Sequence, residues 1–565
     1  MSDVKVVIIG GGLAGLSAGC YAQANGFSVT IVEHNLALGG VCTAWRRGPY
    51  LVDGCIHWLT GGPFLQLYQE LGILSRVTLR PLQEFSTYRH DRDGWQIRFT
   101  ANLGLTEEVL RALAPEDAQE IARLIEGARE IADLSPPVDR PPELATVSDR
   151  LRSVWRLLHD AGTLAHFRKP LGRWMADQLK NARLRELLSR MLPAETPTLF
   201  LLMVLGYLER GWLSRPEGGT ASFRDALIDH YHALGGDVLL NTTVEEVIVA
   251  DGRARGVRLT DGTIIEADVV VSTSSAPETI FRLLAGRFGA KEWRTRMETW
   301  RMFQPIVLAS YGVAQPLRGE PGMLIIGGIE PLTVGNVAND YLYLRIYNDD
   351  PAFAPPGHAV VQAMLRTEYD WWAKSGSHYQ AEKDALGERV LACLDHHLPG
   401  VKGAAQMADL ATPLTFWRSA RAWRGAFEGW LPTSEAFRHV PKQLPGLDRF
   451  YLAGQWVEPG GGVPMGHNVR PSRRRDHLRP AGTSFLGASS TLRERGPHEV
   501  IEPESDARSV FCILTSHPPK GCSDAWNRRS ISRRVFGSAV FRAHCPDTHL
   551  HRQPPRSGGT SPIGG

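Results

Sequence analysis

Residues 4–15 read Val-Lys-Val-Val-Ile-Ile-Gly-Gly-Gly-Leu-Ala-Gly, an apolar run that ends in a glycine-rich turn. The turn is followed by a segment that we expect to be helical and by a second apolar run, residues 29–32, which ends in Glu33. This order is typical of a βαβ unit that binds a dinucleotide: a strand, glycines, a helix, a second strand and a terminal acid. An ordinary βαβ turn would not need the glycines and the acid in register, so we favour dinucleotide binding.

Each residue of the turn has a physical role in such a unit. Gly10 makes the tight strand-to-helix turn, and Gly12 lets a pyrophosphate approach the backbone. Gly15 lets the helix pack closely against the strand. Leu13 and Ala14, between the last two glycines, are expected cofactor contacts. The N-terminus of the helix that follows supplies N–H groups and a partial positive charge for the phosphates. Together these residues predict a phosphate-binding turn.

The acid and a second glycine pair indicate which dinucleotide binds. Glu33 is placed to accept hydrogen bonds from an adenosine ribose and would repel a 2′-phosphate. Six residues later come Gly39 and Gly40. Glu-x5-Gly-Gly after a βαβ unit resembles the FAD-binding signature of the glutathione-reductase-like flavoproteins, in the amine oxidase and phytoene desaturase branch. The resemblance implies FAD as cofactor and a glycine pair that returns the chain along the pyrophosphate.

Two more segments carry the same resemblance. Residues 50–59, with Asp53 and His57, resemble the Asp-x-Gly-x-His stretch of carotenoid desaturase, carotenoid isomerase and retinol saturase relatives. Val41 departs from the arginine that many amine oxidases carry after the glycine pair, which argues against an amine oxidase in particular. In the family that this sequence resembles, the chain re-enters the FAD domain in the region of Val244. The resemblance therefore implies that the backbone of Val244 contacts the adenine.

Residues 450–464 resemble the C-terminal FAD motif of the desaturases. The implied cofactor contacts are Gly454, Gln455, Gly461, Gly462 and Val463. A final helix should follow, but residues 467–475 have no helical period and contain a proline.

The tail from His467 onward has a different composition. It holds 16 Lys or Arg against 8 Asp or Glu, whereas residues 1–466 carry a net charge of −5. Codons for Gly466 onward, read one base later, permit Gly-Ile-Thr-Ser-Gly-Arg and then an apolar helix. We therefore predict that residues 467–565 are an irregular, out-of-frame tail, which sequencing of the gene around codon 466 would test. The alternative is a natural disordered tail.

The sequence predicts an α/β fold with a Rossmann-like FAD-binding domain built from three separated segments, a mixed α+β substrate domain and the irregular tail. Turn dipeptides at residues 251–252 and 261–262 predict hairpins in the second FAD-binding segment. The three FAD-binding segments are expected at residues 1–85, 216–285 and 431–466. A helical cap is expected at 86–215, the substrate sheet and helices at 286–430, and the tail at 467–565.

Few residues qualify for catalysis. His57 is the one polar candidate near the flavin ring, although a structural histidine bonded to the backbone is an alternative. Phe416, Trp417, Trp423, Phe427 and Trp430 could line an apolar tunnel or pack a core. We find no carboxylate pair, no metal-ligand spacing and no second dinucleotide unit, so electrons are expected to leave to oxygen, a quinone or another acceptor.

Composition sets the remaining bounds. The longest apolar stretch, residues 199–208, is too short to span a bilayer. We expect a cytoplasmic protein, and we expect no binding of nucleic acid. As a second hypothesis, this stretch is an exposed helix that dips into one leaflet to collect substrate. The seven cysteines lack paired spacing and are expected to be free thiols.

The function that these observations favour is an FAD-dependent oxidoreductase that dehydrogenates, saturates or isomerises a small apolar, polyene-like substrate. A flavin amine oxidase is the first alternative. An inactive remnant of the FAD fold, without its final helix, is the second. The oligomeric state has no sequence signal.

Overall fold

The computed structural model describes residues 4–133, 161–433 and 440–458. The strands in these ranges are β1 Lys5–Ile9, β2 Ser28–Val32, β3 Ala44–Arg47, β4 Tyr50–Asp53, β5 Leu59–Thr60, β6 Leu79–Pro81, β7 Glu84–His90, β8 Gln96–Thr100, β9 Leu213–Pro216, β10 Asp237–Leu239, β11 Val244–Ala250, β12 Arg253–Leu259, β13 Ile264–Glu266, β14 Val269–Ser272, β15 Ile306–Val313, β16 Met323–Val334, β17 Val337–Tyr347, β18 Ala359–Arg366, β19 Ala405–Ala411 and β20 Phe450–Leu452.

The α-helices of the same ranges are α1 Leu13–Ala24, α2 Leu65–Glu70, α3 Leu103–Leu113, α4 Ala118–Asp133, α5 Ala161–His166, α6 Leu171–Gln178, α7 Ala182–Met191, α8 Thr198–Glu209, α9 Gly219–Ala233, α10 Ala290–Thr299, α11 Tyr369–Lys374, α12 Tyr379–His397, α13 Val401–Ala404 and α14 Pro413–Ala420. The predicted tail, residues 467–565, lies outside the described residues.

A parallel five-stranded sheet forms the centre of the cofactor half, in the order β10-β2-β1-β14-β20. Its strands come from three separated stretches of the chain, which confirms the predicted α/β class. Helices α1 and α9 cover one face, and the buried face of α1 packs against the sheet through Leu16 and Ala18. Parallel strands buried on both faces explain the continuous apolar runs in the sequence.

A three-stranded antiparallel sheet, β11-β12-β13, packs on the other face of the parallel sheet. The turn between β11 and β12 has positive φ at both Asp251 and Gly252, 52° and 69°. Two positive φ values are the mark of a type I′ turn, whose twist matches a hairpin. This hairpin was predicted. The apolar stretch at residues 238–249 is divided between two sheets, because β10 joins the parallel sheet and β11 the antiparallel one.

The substrate half is built on a seven-stranded sheet in the order β19-β15-β18-β17-β16-β7-β8. One face packs against α12 through alternating residues of β17, Leu342, Leu344 and Ile346. Strands β7 and β8 come from the segment assigned above to the helical cap. Their place in this sheet depends on a parallel pairing between β7 and β16, more than two hundred residues apart. Local sequence patterns do not reveal a pairing over that separation.

Helix α8 is a core helix and not a membrane-contacting one. It holds the stretch 199–208, and Leu201, Leu202 and Leu205 are fully buried against α4 and neighbouring helices. The hypothesis that this stretch dips into a lipid leaflet is therefore wrong. A helix that is apolar all round is equally typical of a protein core.

We predict that Gly206→Ala strongly destabilises the protein. A Cβ atom at Gly206 would lie 2.0 Å from the carbonyl oxygen of Ala128, so α4 and α8 would have to separate. Overpacking of this kind lowers the free energy of unfolding by about 1–3 kcal/mol. Gly162→Ala in α5 is the matched control, since a Cβ there meets no atom within 4 Å. Thermal unfolding followed by circular dichroism measures both variants, and equal melting temperatures would contradict the close helix contact.

Candidate cofactor and substrate site

The two glycine segments meet backbone to backbone at the end of β1. Gly12 forms a parallel bridge with Gly39, and the N–H of Gly39 donates to the carbonyl of Gly11 at 2.9 Å. A Cβ at Gly40 would lie 3.1 Å from the Cα of Gly12. The structure thus brings both predicted glycine motifs into one turn, with no side chain between them.

Gly10 and Gly15 explain how α1 follows β1 so closely. Gly10 has a φ of 102°, a value that favours glycine. A Cβ at Gly15 would lie 2.0 Å from the carbonyl oxygen of Gly10. The third glycine is therefore needed for packing of the helix on the strand. Leu13 and Ala14 stand in the first turn of α1, so the helix begins within the glycine motif and not after it.

Glu33 ends β2 and is tied to the same turn. Its carboxylate accepts hydrogen bonds from the N–H of Gly11 at 2.7 Å and from the N–H of Asn35 at 2.9 Å. Burial alone would raise the pKa of Glu33, but hydrogen bonds from His34, Gly11 and Asn35 outweigh it and lower the pKa. The carboxylate is therefore held ionised, and its free lone pairs can accept ribose hydroxyls.

The other predicted cofactor residues stand beside this turn. The N–H of Thr242 donates to the carbonyl of Glu33 at 2.9 Å, so β11 begins with Val244 near the end of β2. The Val244 carbonyl accepts a hydrogen bond from Arg282 at 3.0 Å. At the end of β20, a Cβ on Gly454 would lie 3.1 Å from the Cβ of Ala14, which places Gln455 next to α1. Gly461, Gly462 and Val463 lie outside the described residues.

The chemistry of this turn fits the diphosphate of FAD. No side chain caps the N-terminus of α1, and its first turn contains no acid. A Cβ at Gly12 would meet only backbone of Gly39 and Gly40, at 3.7 Å or more, so no described side chain covers that face of the turn. An uncapped helix N-terminus beside glycines is a ready anion site. Gly12, Leu13, Ala14 and Gly40 would hold the phosphates.

Arg224 of α9 is a residue that the sequence reasoning missed. Its Nη1 donates to the hydroxyl of Thr43 at 3.0 Å and to the carbonyl of Ala44 at 3.3 Å. Its stem lies over Gly39, where a Cβ would come within 2.6 Å of the Arg224 Cδ. This side chain, which also pairs with Asp225 at 2.7 Å, braces the glycine-pair loop.

Three titratable side chains, His57, Tyr343 and Glu428, form a buried cluster between the two halves, and we infer that they border a substrate cavity. His57 follows β4, Tyr343 lies on β17, and Glu428 follows α14. Each lies deep inside the protein but keeps some of its surface accessible, as side chains around a cavity do. The rings of His57 and Tyr343 have centroids 6.4 Å apart. Trp58 and Tyr341 are partly buried against one apolar core, and Met364 and Phe427 against another.

Burial disfavours the charged form of each of these three groups. It lowers the pKa of His57 to about 3, with a further contribution from the nearby Arg345 cation. It raises the pKa of Tyr343 to about 12 and that of Glu428 to about 7. A pocket with few polar groups and displaced pKa values is typical of a catalytic site.

His57 does not fit the structural alternative. Its Nε2 is buried, and no hydrogen-bond partner for it exists among the described residues. Asp53, in contrast, is structural: its carboxylate accepts the N–H of Thr220 at 2.8 Å and fastens β4 to the N-terminus of α9. His57 is therefore the member of this stretch that is free to meet a ligand.

A buried cation completes the electrostatics of the cavity. Arg345 lies on the same face of β17 as Tyr343 and is 2 % exposed. Within the described ranges, no carboxylate oxygen comes within 4 Å of its guanidinium, and its Nε has no hydrogen-bond partner. An arginine is effectively always charged. Arg345 therefore brings a positive charge to this region, where it also interacts with the buried carboxyl group of Asp53.

The aromatic segment 414–430 divides between two roles. Trp430 is fully buried in the core, where its indole N–H donates to the carbonyl of Trp456 at 3.2 Å. Phe427 keeps partial exposure beside Glu428. The signal for Glu428 was a single acid inside an otherwise apolar run. Tyr343 and Arg345 alternate with buried aliphatic residues along a strand, a pattern that does not tell an inner face from a solvent face.

The described cysteines and one cluster of metal-type ligands are the other reactive groups. Cys20, Cys42, Cys55 and Cys393 are free thiols, as predicted. Among the residues that the structure describes, one set could share a metal ion, formed by Asp91, His396 and His397 at the far end of α12.

Comparison with known proteins agrees with this geometry. The sequence profile of flavin containing amine oxidoreductases matches residues 13–466. A lycopene-forming phytoene desaturase of Pseudescherichia vulneris is 26 % identical over 486 residues, which cover 81 % of this chain and 96 % of that protein. Prolycopene isomerase 1 of an Oncidium hybrid cultivar is 23 % identical, with 82 % and 81 % covered. A redesigned putrescine oxidase shares the fold with a TM-score of 0.55, 16 % identity, and 83 % and 97 % covered.

We predict that Gly12→Val removes bound flavin without unfolding the protein. The new side chain would enter the space left for the diphosphate, and overpacking of about 1–3 kcal/mol raises the Kd for FAD about tenfold or more. Flavin absorbance per chain after gel filtration measures the loss. Gly15→Ala is the contrast, because its Cβ clashes with Gly10 and should lower the melting temperature itself. Full flavin content in Gly12→Val would rule out the assignment.

Proposed function

The chain belongs to the flavin-containing amine oxidoreductase family, and from this premise we propose that it dehydrogenates a long apolar polyene with the help of FAD. FAD-dependent oxidation follows from the family and from the fit of the glycine turn. The substrate class rests on two supports: relatives named phytoene desaturase and prolycopene isomerase, and the cavity lined by His57, Tyr343 and Glu428.

The charge state of the cavity is the observation that carries this proposal. Apart from the nearby Arg345 cation, the groups described around it are apolar or have pKa values that burial shifts towards the neutral form. A hydrocarbon offers no hydrogen bonds, so such walls lose nothing when it displaces water from them. Binding would then depend on shape and apolar contact, which also orient the reacting carbons.

The same charge state argues against an amine substrate. A protonated amine in the cavity would meet the positive potential of Arg345, which already lowers the pKa of His57. Glu428 is the only described carboxylate known to line the cavity, and its raised pKa leaves it largely protonated up to neutral pH. The similarity to putrescine oxidase extends to the fold alone.

Desaturation of a CH2–CH2 unit removes a hydride from one carbon and a proton from the other. FAD, when bound, is the hydride acceptor. The protein must supply the proton acceptor, and we assign that role to the Glu428 carboxylate. A base is most effective when its pKa lies near the working pH, and burial raises the pKa of Glu428 to about 7. His57 is the less suitable base, because its pKa of about 3 makes it a weak one.

The finer cofactor contacts are proposals of the same kind. Glu33 would bind the ribose, Val244 the adenine, and Gly454 with Gln455 the flavin end, supported by their positions around α1. Gly461, Gly462 and Val463 are proposed from the resemblance alone. Contact with a membrane surface also stays a proposal, which flotation with liposomes tests. In the described residues, no helix is both long and apolar enough to cross a membrane.

The out-of-frame origin of residues 467–565 is a further proposal. It is supported by the family match, which ends at residue 466, one residue before the change in composition. If the gene shows no one-base change near codon 466 relative to its close relatives, the proposal fails.

We predict that a carotenoid-type polyene, and not an amine, reduces the flavin. Under argon, addition of the polyene in detergent micelles should bleach the flavin absorbance in a concentration-dependent way, because hydride transfer fills the oxidised ring. Putrescine and a monoamine are the comparison, with the micelle alone as control. Bleaching by an amine and none by a polyene would replace this proposal with an amine oxidase.

We predict that Glu428→Gln lowers kcat about 10²-fold or more while flavin content is unchanged. Wild-type activity should rise as the pH passes about 7, where the carboxylate forms, and the variant should lose this rise. Glu266→Gln, on the exposed strand β13, is the matched control. Retained activity with an unchanged pH profile would exclude Glu428 as the base.

The same variant tests the pKa through stability. A carboxyl group whose pKa is raised from 4.5 to about 7 by folding stabilises the protein below pH 4.5, and this stabilisation is lost as the pH rises to about 7. Glu428→Gln should therefore show a smaller fall in melting temperature between pH 4.5 and pH 7 than the wild type.

A further inference from the structure

Two cysteines face each other beyond the open end of the β3–β4 hairpin. The strands pair in antiparallel register. The N–H of Gly54 donates to the carbonyl of Thr43 at 2.9 Å, which extends the pairing by one residue. The next residues outward in the same register are Cys42 and Cys55. Pairs that follow a hydrogen-bonded pair have Cα atoms about 4.5 Å apart, within the about 4.4–6.8 Å that a disulfide requires.

The side chains agree with this register. The thiols of Cys42 and Cys55 form a hydrogen bond with each other, and both are free. Cys42 is buried, and its burial together with the Cys55 thiol raises its pKa. Cys55 is partly accessible. An oxidant that enters from the accessible side therefore reaches the Cys55 thiol first. The Cys42 thiol lies behind the Cys55 thiol and is in contact with it.

We propose that Cys42 and Cys55 form an oxidation site, at which hydrogen peroxide converts the two thiols into a disulfide. The sulfur of Cys55 attacks one peroxide oxygen and the O–O bond breaks. One water is released, and Cys55 becomes a sulfenic acid. The sulfur of Cys42 then attacks the Cys55 sulfur, the S–O bond breaks, and a second water leaves. Two thiols lose two electrons, and one peroxide becomes two waters. The raised pKa of Cys42 makes the second step slow.

The position of the pair gives the disulfide a consequence. Cys42 follows the loop of Gly39 and Gly40 by two residues, and Cys55 precedes His57 by two residues. A covalent link there fastens the cofactor loop to the segment that leads into the cavity. We infer that movement of this loop away from Gly12 speeds the release of FAD, so the oxidised protein should release flavin more slowly.

Peptide mapping tests the link. The full chain, loaded with FAD, is treated with hydrogen peroxide, alkylated and digested with trypsin. We expect a disulfide between peptides 6–46 and 48–76 and two fewer alkylated thiols per chain. Because peptide 6–46 also contains Cys20, the Cys20→Ser variant is the matched control and should keep the link. Cys42→Ser and Cys55→Ser should each lose it. Absence of the linked peptide in a folded wild type, or its persistence in Cys42→Ser, would overturn the assignment.

Flavin release tests the consequence separately. After dilution into FAD-free buffer, the half-time of flavin release should be several-fold longer for oxidised than for reduced wild type, and dithiothreitol should reverse the change. In Cys42→Ser and Cys55→Ser the half-time should not respond to peroxide. Equal half-times in linked and reduced wild type would show that the disulfide does not fasten the cofactor loop.

Discussion

Backbone-to-backbone contact between two glycine turns is the constraint on which the cofactor half depends. Gly12 and Gly40 approach so closely that a side chain on Gly40 would press on the other segment. This leaves the N-terminus of α1 uncovered, and an uncovered helix end is where an anion binds. The same contact fixes the end of β2 through Glu33 and the start of α1 through Gly15. The remaining segments of the cofactor half are arranged around this point.

Two buried glutamates show how the protein separates two electrostatic tasks. Glu33 and Glu428 are both removed from bulk water, yet folding lowers the pKa of one and raises the pKa of the other. The difference lies in hydrogen bonds: Glu33 accepts two backbone N–H groups, and no described donor reaches Glu428. One carboxylate is thus kept charged for the polar end of a cofactor. The other is kept close to neutral for an apolar substrate.

Short sequence patterns were enough to predict the elements whose conformation depends on neighbouring residues. The glycine turn, the parallel strands and the Asp251–Gly252 hairpin follow from positive φ, close packing and periodicity within short windows. The place of β7 in the substrate sheet and the burial of α8 depend on partners far along the chain. Residues 199–208 are apolar all round, and only the packing of α4 against them distinguishes a core helix from a membrane-contacting one. His57 was identified from its motif, whereas Tyr343 and Arg345 required knowledge of which sheet face looks inward.

The cavity itself could not be read from the sequence, because its polar members come from three distant elements: His57 after β4, Tyr343 on β17 and Glu428 after α14. Their meeting explains a combination that looks contradictory in the sequence, an apolar site that contains ionisable groups. An apolar substrate gains nothing from a hydrogen bond, so polar groups retained among such walls must act on a proton or be satisfied by a partner. His57 Nε2 has no partner among the described residues, and Glu428 has a pKa suited to proton exchange near neutral pH. Arg345 adds a fixed positive charge that disfavours a cationic ligand. In the proposed reaction, shape would select the substrate, and the few polar groups would serve the proton that accompanies hydride removal.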